Sequence, residues 1–205
     1  MRNVGIGLLG GGGHSDEVEE VYGNVVFRAV SKEYVNEKAA VDICSPGQYV
    51  SAGVHIAVGA PALKRRMEEL WPGTKYVTVV SDYALVGRSC TIGAGSYIAS
   101  GAILTTDVKV GRHVTINVHA SIHHGCEIGD FSCISPGANV GGNVKIGQGA
   151  FIGIGATVSN GLKIAEGAVV GAGAVLIADA QEQNGVYVGV PARLVKVNTG
   201  WLNEI

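Results

Sequence analysis

Aromatic residues are scarce in this 205-residue chain, at 6%, and prolines number only 5. A core with so few rings must be built from small and aliphatic side chains, for which a hydrophobic content of 47% is ample. The low proline count and the absence of a G-X-Y period exclude collagen and a proline-rich linker. Charge of one sign is lacking too: 15 basic residues against 17 acidic give a formal net charge of −2. No basic field exists to hold nucleic acid. No run of about 18 apolar residues occurs, so no membrane insertion is expected. The opening MRNVGIGLLGGGGHSDEVEE lacks an A-x-A-like cleavage site and passes straight into acids, so it reads as a first strand rather than a signal peptide. Cys44, Cys90, Cys126 and Cys133 show no CxxC spacing. Free thiols in a cytoplasmic protein are the expectation.

What the chain has in excess is glycine, 32 residues, about twice the usual share. The reason is a repeat. Stepping by six from Val80 gives Val86, Ile92, Ile98, Leu104, Val110, Ile116, Ile122, Ile128, Ile134, Val140, Ile146, Ile152, Val158, Ile164, Val170 and Leu176, without exception Ile, Val or Leu. Four residues after each lies a second column, Ala84, Cys90, Ser96, Ala102 and onward to Ala180, small or aliphatic throughout. Gly, Asn and Asp gather between the columns, where sharp corners need permissive backbone. One large and one small inward residue per hexad resembles the repeat of left-handed parallel β-helices. In that family three hexads form a triangular coil of 18 residues, so the coils stack at roughly 4.8 Å. Cys90 and Cys126, 36 residues apart, then lie roughly 9.6 Å apart on one column, too far for a disulfide.

Residues 1–77 follow another rule. Residues 4–9 read as a buried strand, 10–13 as a glycine loop, 15–22 as a helix and 25–30 as a second strand. A third strand spans 54–58, followed by Gly59 and a helix with Pro61 in its first turn and Leu63, Met67 and Leu70 on one face. This is the plan of a small Rossmann-like unit. The loop GGGGHS is either a phosphate loop or a plain turn. Asp16, Glu17, Glu19 and Glu20 just after it would repel an anion, or form a solvated helix face. Three segments are expected: an α/β unit at 1–77, a β-helix at 78–182, and a C-terminal strand and tail at 183–205. The tail beyond Lys196, with Trp201 and Leu202, is expected to pad the base of the column or a neighbour.

Four histidines fall within twelve positions: His113, His119, His123 and His124. None lies on an inward column, so all four are expected at corners or outer faces. A histidine titrating near neutrality suits the general base of an acyl transfer. Since 124 + 18 = 142, Gly142 should stack on His124 one coil on. A side-chain-free position there lets a backbone N–H approach a thioester carbonyl and steady its oxyanion.

GGGGHSDEV, the run INVHASIHHGCEIGDFSCISPGANVGGNVKIGQGAFIGIGATV and the ending GVYVGVPARLV together resemble one family. It is the hexapeptide acetyltransferases of sugars, which includes UDP-4-amino-sugar N-acetyltransferases and sialic acid O-acetyltransferases. The resemblance implies a homotrimer using acetyl-CoA and no metal, with its active site between neighbouring columns and a nucleotide-sugar substrate on the N-terminal unit. It places the catalytic histidine on His124, a preceding asparagine on Asn117 and the N–H donor to the acetyl carbonyl on Gly142. Gly10, Gly13, His14 and Gly59 match the substrate-binding positions, and Ile154 and Ala172 the path of the pantetheine arm. Cys133 stands where the family has a second histidine beside the thioester. Two further departures stand out. The acid after the catalytic histidine is Gly125 here, leaving Glu127, Asp130 or another subunit to replace it. The acid after the second strand is missing from FRAVS, which ends at Ser31. N-acetylation is the preferred reading, because a weakened base suits an amine, with sugar O-acetylation as the alternative. HASIHHGC also resembles the γ-type carbonic anhydrases, which would make His119 and His124 zinc ligands. A non-enzymatic trimeric scaffold is the third reading.

Overall fold

The computed structural model describes residues 4–35, 41–45, 47, 49, 53–72 and 74–201. β1 (Ile6–Leu9), β2 (Val25–Val30), β3 (Val41–Asp42) and β4 (Val54–Ile56) form a sheet in the order β3-β2-β1-β4. All three pairings are parallel, the order of one half of a doubly wound sheet. α1 (Gly13–Tyr22) follows β1 and α2 (Pro61–Leu70) follows β4. α1 starts two residues earlier than its sequence suggests, and β3 carried no sequence signal. Met67 and Trp71 join Leu9, Ala29, Val54 and Ile56 in one core, with Leu63 and Leu70 packed against it. Val77 N–H still bonds Val54 O, at 2.8 Å, and two residues later Val79 N–H bonds Ser96 O of the coil, at 2.9 Å.

From Val79 the chain visits three parallel sheets in turn, every strand two residues long. Sheet I begins Val79–Val80, Tyr97–Ile98, Thr115–Ile116, Cys133–Ile134. Sheet II begins Leu85–Val86, Ile103–Leu104, Ser121–Ile122, Asn139–Val140. Sheet III begins Thr91–Ile92, Lys109–Val110, Glu127–Ile128, Lys145–Ile146. Each residue pairs with the one eighteen further on: Ile98 with Ile116, Leu104 with Ile122, Val110 with Ile128. Both inward columns meet in a single apolar core. The second column includes Ser96 and Ser132, whose hydroxyls donate to Gly111 O (2.8 Å) and Gly147 O (2.9 Å). Val80 departs from its column: with no coil beneath, it is 37% exposed.

Corner chemistry follows the same step. Residues 95, 101, 107, 113, 119, 125, 131, 137, 143, 149, 155, 161, 167 and 173 all have positive φ. Glycine, asparagine and aspartate fill that slot except at His113, His119 and Phe131. Beyond the coil, Gly185–Val188 extends sheet I in parallel and Arg193–Val197 returns antiparallel, a hairpin where one strand was expected. Trp201 packs against the coil's own edge between sheets III and I, over Gly149 and Gly167, not beneath the column; Leu202 lies outside the described residues. The four cysteines are free thiols. Among the described residues no helix is long and apolar enough to cross a membrane.

Candidate active site

The register assigns each candidate residue to an edge of the coil. Residues 123–126 and 141–144 turn from sheet II to sheet III, so His124 and Gly142 share that edge. Residues 117–120, 153–156 and 171–174 turn from sheet I to sheet II, so Asn117, Ile154 and Ala172 share another. Backbone bonds run along it from Gly137 N to Val118 O, Gly155 N to Pro136 O and Gly173 N to Ile154 O. Within one protomer the two sets stand at opposite ends of sheet II.

His124 is exposed. Its ring lies against Gly142: a Cβ there would come within 2.6 Å of both Cε1 and Nε2. His124 O accepts Asn143 N–H at 2.7 Å and Gly161 N–H bonds Gly142 O at 2.8 Å. The Gly142 N–H makes no hydrogen bond among the described residues. A bare corner thus stacks on an imidazole and keeps a free donor, the two parts needed to deprotonate an amine and hold an oxyanion.

Gly125 sits in the positive-φ slot, at φ +69°. A Cβ there would meet Asn143 Oδ1 at 2.4 Å, so an acid beside His124 would have to displace the Asn143 side chain and take up left-handed backbone. The substitutes within the protomer are engaged elsewhere. Glu127 bridges Lys109 (3.3 Å) and Lys145 (3.6 Å), which hold its carboxyl below the usual range. Asp130 accepts from Arg112 Nε (3.2 Å) and from Arg112 N (2.8 Å).

Two expectations need correction. His113 is not at the surface but 2% exposed. Its ring stacks on Phe131 (centroids 5.4 Å) and meets Tyr76 edge-on (4.5 Å), while Nε2 faces Glu68 at 3.2 Å. The N-terminal unit covers that corner, which the repeat alone does not reveal. Cys133, expected beside the thioester, is 4% exposed beneath α2. Burial pushes its thiol pKa up.

On the N-terminal unit a cavity of about 560 Å³ is bounded by Gly10, Gly11 and Gly12, by Val58, Leu63 and Met67, and by Ser31, Glu33, Tyr34 and Val35. Gly10 belongs to it; Gly13 and His14 follow on α1, and Gly59 lies between β4 and α2. Glu33, in the short 3-10 turn Lys32–Tyr34, supplies an acid after β2 that the FRAVS reading missed by two residues. Among the acids of α1, Asp16 pairs with Arg28 Nη1 at 2.7 Å and Glu19 with Arg28 Nη2, lining a separate groove. His119 and His124 lie on different edges, and among the described residues no group of three metal-ligating side chains occurs.

Residues 143–178 match the model described as bacterial transferase hexapeptide (six repeats). GDP-perosamine N-acetyltransferase of Escherichia coli O157:H7 is 31% identical over 85 residues, a stretch covering 40% of this chain and 38% of that relative's length. The acetyltransferase domain of PglB from Neisseria gonorrhoeae FA1090 is 27% identical, with a TM-score of 0.86 over 94% of this chain and 100% of that one. PerB from Caulobacter crescentus, solved with CoA and GDP-perosamine, is 25% identical with a TM-score of 0.78, over 95% and 98%. Over residues 143–178 the chain carries the hexapeptide repeat of bacterial transferases. The proteins it is similar to include sugar N-acetyltransferases.

Proposed function

We propose that this protein transfers the acetyl group of acetyl-CoA to the amine of a nucleotide-linked sugar. It would act in the cytoplasm as a homotrimer of left-handed parallel β-helices, each carrying a Rossmann-like unit. The observation that carries the reading is the pairing of His124 with the bare, unbonded Gly142 corner. The relatives' N-acetyltransferase names and the CoA and GDP-perosamine bound to PerB support it.

In the reaction the sugar nitrogen attacks the thioester carbonyl carbon while His124 takes its proton. The carbonyl oxygen gains negative charge and accepts the Gly142 N–H. Collapse breaks the C–S bond, and coenzyme A leaves as a thiolate that takes up the proton. Asn117 orients the acceptor, and the pantetheine arm lies along the edge of Ile154 and Ala172. These residues stand on a different edge from His124, so the site is completed by a neighbouring protomer. The nucleotide occupies the cavity over Gly10 and Gly13, with His14 and Gly59 on its rim. Glu33 accepts from the ribose hydroxyls in place of the acid expected directly after β2.

Complementation tests this arrangement. His124→Ala and Asn117→Ala chains, each inactive, are refolded together at equal ratio. A site shared between protomers regains activity at about a quarter of its positions. No recovery in mixed trimers would place both residues in one protomer and overturn the shared site.

A further inference from the structure

Among the described residues of the N-terminal unit two cations are buried, and their surroundings differ. Arg28, 6% exposed, has Asp16 and Glu19. Lys64, 1% exposed, makes one hydrogen bond among the described residues, to Ser132 O at 3.3 Å. That carbonyl already accepts Thr115 N–H at 3.0 Å. An ammonium has three protons to place, and a buried charge without a partner is costly. Among the described residues no carboxylate forms an ion pair with Lys64.

Its position gives the shortage a meaning. Leu63 and Met67, its neighbours on α2, line the cavity opposite Gly10–Gly12. His14, just past that glycine loop, packs edge-on against Tyr97 with centroids 5.1 Å apart. Tyr97, Thr115 and Cys133 are successive rungs of sheet I, so His14 and Lys64 stand on either side of the Thr115 rung, roughly 9.6 Å apart along it. Among the described residues the buried Nε2 atoms of His14 and His55 have no hydrogen-bond partner. His55, 1% exposed, donates from Nδ1 to Val77 O at 2.9 Å, leaving a lone pair on Nε2. The first turn of α1, ten residues long, has no side-chain cap. The acids Asp16 and Glu19 are held by Arg28 in a separate groove. The Lys64 ammonium, next to the cavity-lining Leu63, and the uncapped first-turn N–H groups of α1 are therefore under-bonded donors, which an anion with several acceptor oxygens would satisfy.

We propose that Lys64 is a substrate-binding residue, whose ammonium leaves Ser132 O to hold the diphosphate of the nucleotide sugar together with the first-turn N–H groups of α1. This rests on the nucleotide-sugar reading above. Burial holds the Lys64 pKa down at about 8, and the groups facing it are His14 on α1, His55 on β4, and His113 and Cys133 on the coil. Glu17 and Glu68 sit at the outer nitrogens of His14 and His113. A diphosphate would raise the lysine pKa, so binding near pH 8 takes up a proton.

Calorimetry with UDP, GDP, dTDP and CDP, and with the matching nucleosides, tests this without acetyl-CoA. Titrations at pH 8 in two buffers of different ionisation heat count the protons. The wild-type chain is expected to bind one diphosphate with proton uptake. Lys64→Met should weaken it at least tenfold, abolish the uptake and leave the nucleoside unaffected. Lys64→Arg, always charged, should keep affinity within a few-fold but lose the uptake. Unchanged diphosphate affinity in Lys64→Met, or wild-type proton uptake in Lys64→Arg, overturns the assignment and leaves the nucleotide-sugar reading standing. If no nucleoside diphosphate binds the wild-type chain, that reading falls and this proposal with it.

Discussion

The imidazole of His124 occupies the space that a side chain at residue 142 would need, with Cε1 and Nε2 each 2.6 Å from the missing Cβ. The contact makes residue 142 a direct handle on the ring. Gly142→Ala must displace the imidazole. Turnover is expected to fall by about a hundredfold, the usual cost of misplacing a reacting group, while the midpoint of thermal unfolding changes little. Steady-state kinetics beside a melting curve separate the two effects.

His124→Ala is expected to lose at least about two decades of kcat, the span of a general base, with acetyl-CoA affinity retained in calorimetry. Equal rates in mutant and wild type would remove His124 from the chemistry.

Restoring the family's acid beside the histidine should fail here. Gly125→Glu places a side chain at φ +69° and against Asn143 Oδ1. A loss of about 1–2 kcal/mol in urea unfolding is expected, without a gain in rate.

Lys64 has a stability signature of its own. Burial lowers its pKa from 10.5 to about 8, so between those values the unfolded chain binds more protons than the folded one. Stability attributable to this residue therefore rises with pH across that window. Below pH 8 the buried charge costs about 3 kcal/mol. Lys64→Met should be more stable than wild type at pH 7, with the difference shrinking toward pH 10. Denaturant titrations at the two pH values read it directly.

Trp201 fastens the C-terminal tail. Its ring fills the space over Gly149 and Gly167, lies 6.0 Å from Phe131 and sits under Arg65 at 5.4 Å, while Nε1 donates to Glu166 Oε1 at 3.3 Å. Trp201→Ala should cost about 1–2 kcal/mol and expose the tail to protease, which limited proteolysis with mass spectrometry detects.

The six-residue step made the coil legible, because each of its strands answers to a neighbour eighteen residues away and nothing more distant. The same arithmetic brought Gly142 to His124. It also placed Asn117 and His124, seven residues apart, on successive edges, but had no means of showing how two copies would meet. Nor did it reveal what covers the outside of sheet I. His113, Cys133 and Lys64 are buried by docking between segments far apart in sequence, and such docking leaves no period. One signal was readable: His113 and Phe131 occupy corner slots that otherwise favour glycine, and a bulky residue accepts that strain where it gains packing. The pairing of Arg28 with Asp16 and Glu19 was equally hidden, which is why the acids of α1 looked hostile to an anion.

The uninterrupted pitch from residue 80 to 180 turns the coil into a graduated ruler. His14 reads against the Tyr97 mark, and Ala172 lies just past the mark at Val169, four divisions higher, about 19 Å. Whatever spans those two places has its length set in whole divisions, because a deletion that is not a multiple of six would throw every later inward side chain out of line, and only eighteen residues return a strand to its own sheet.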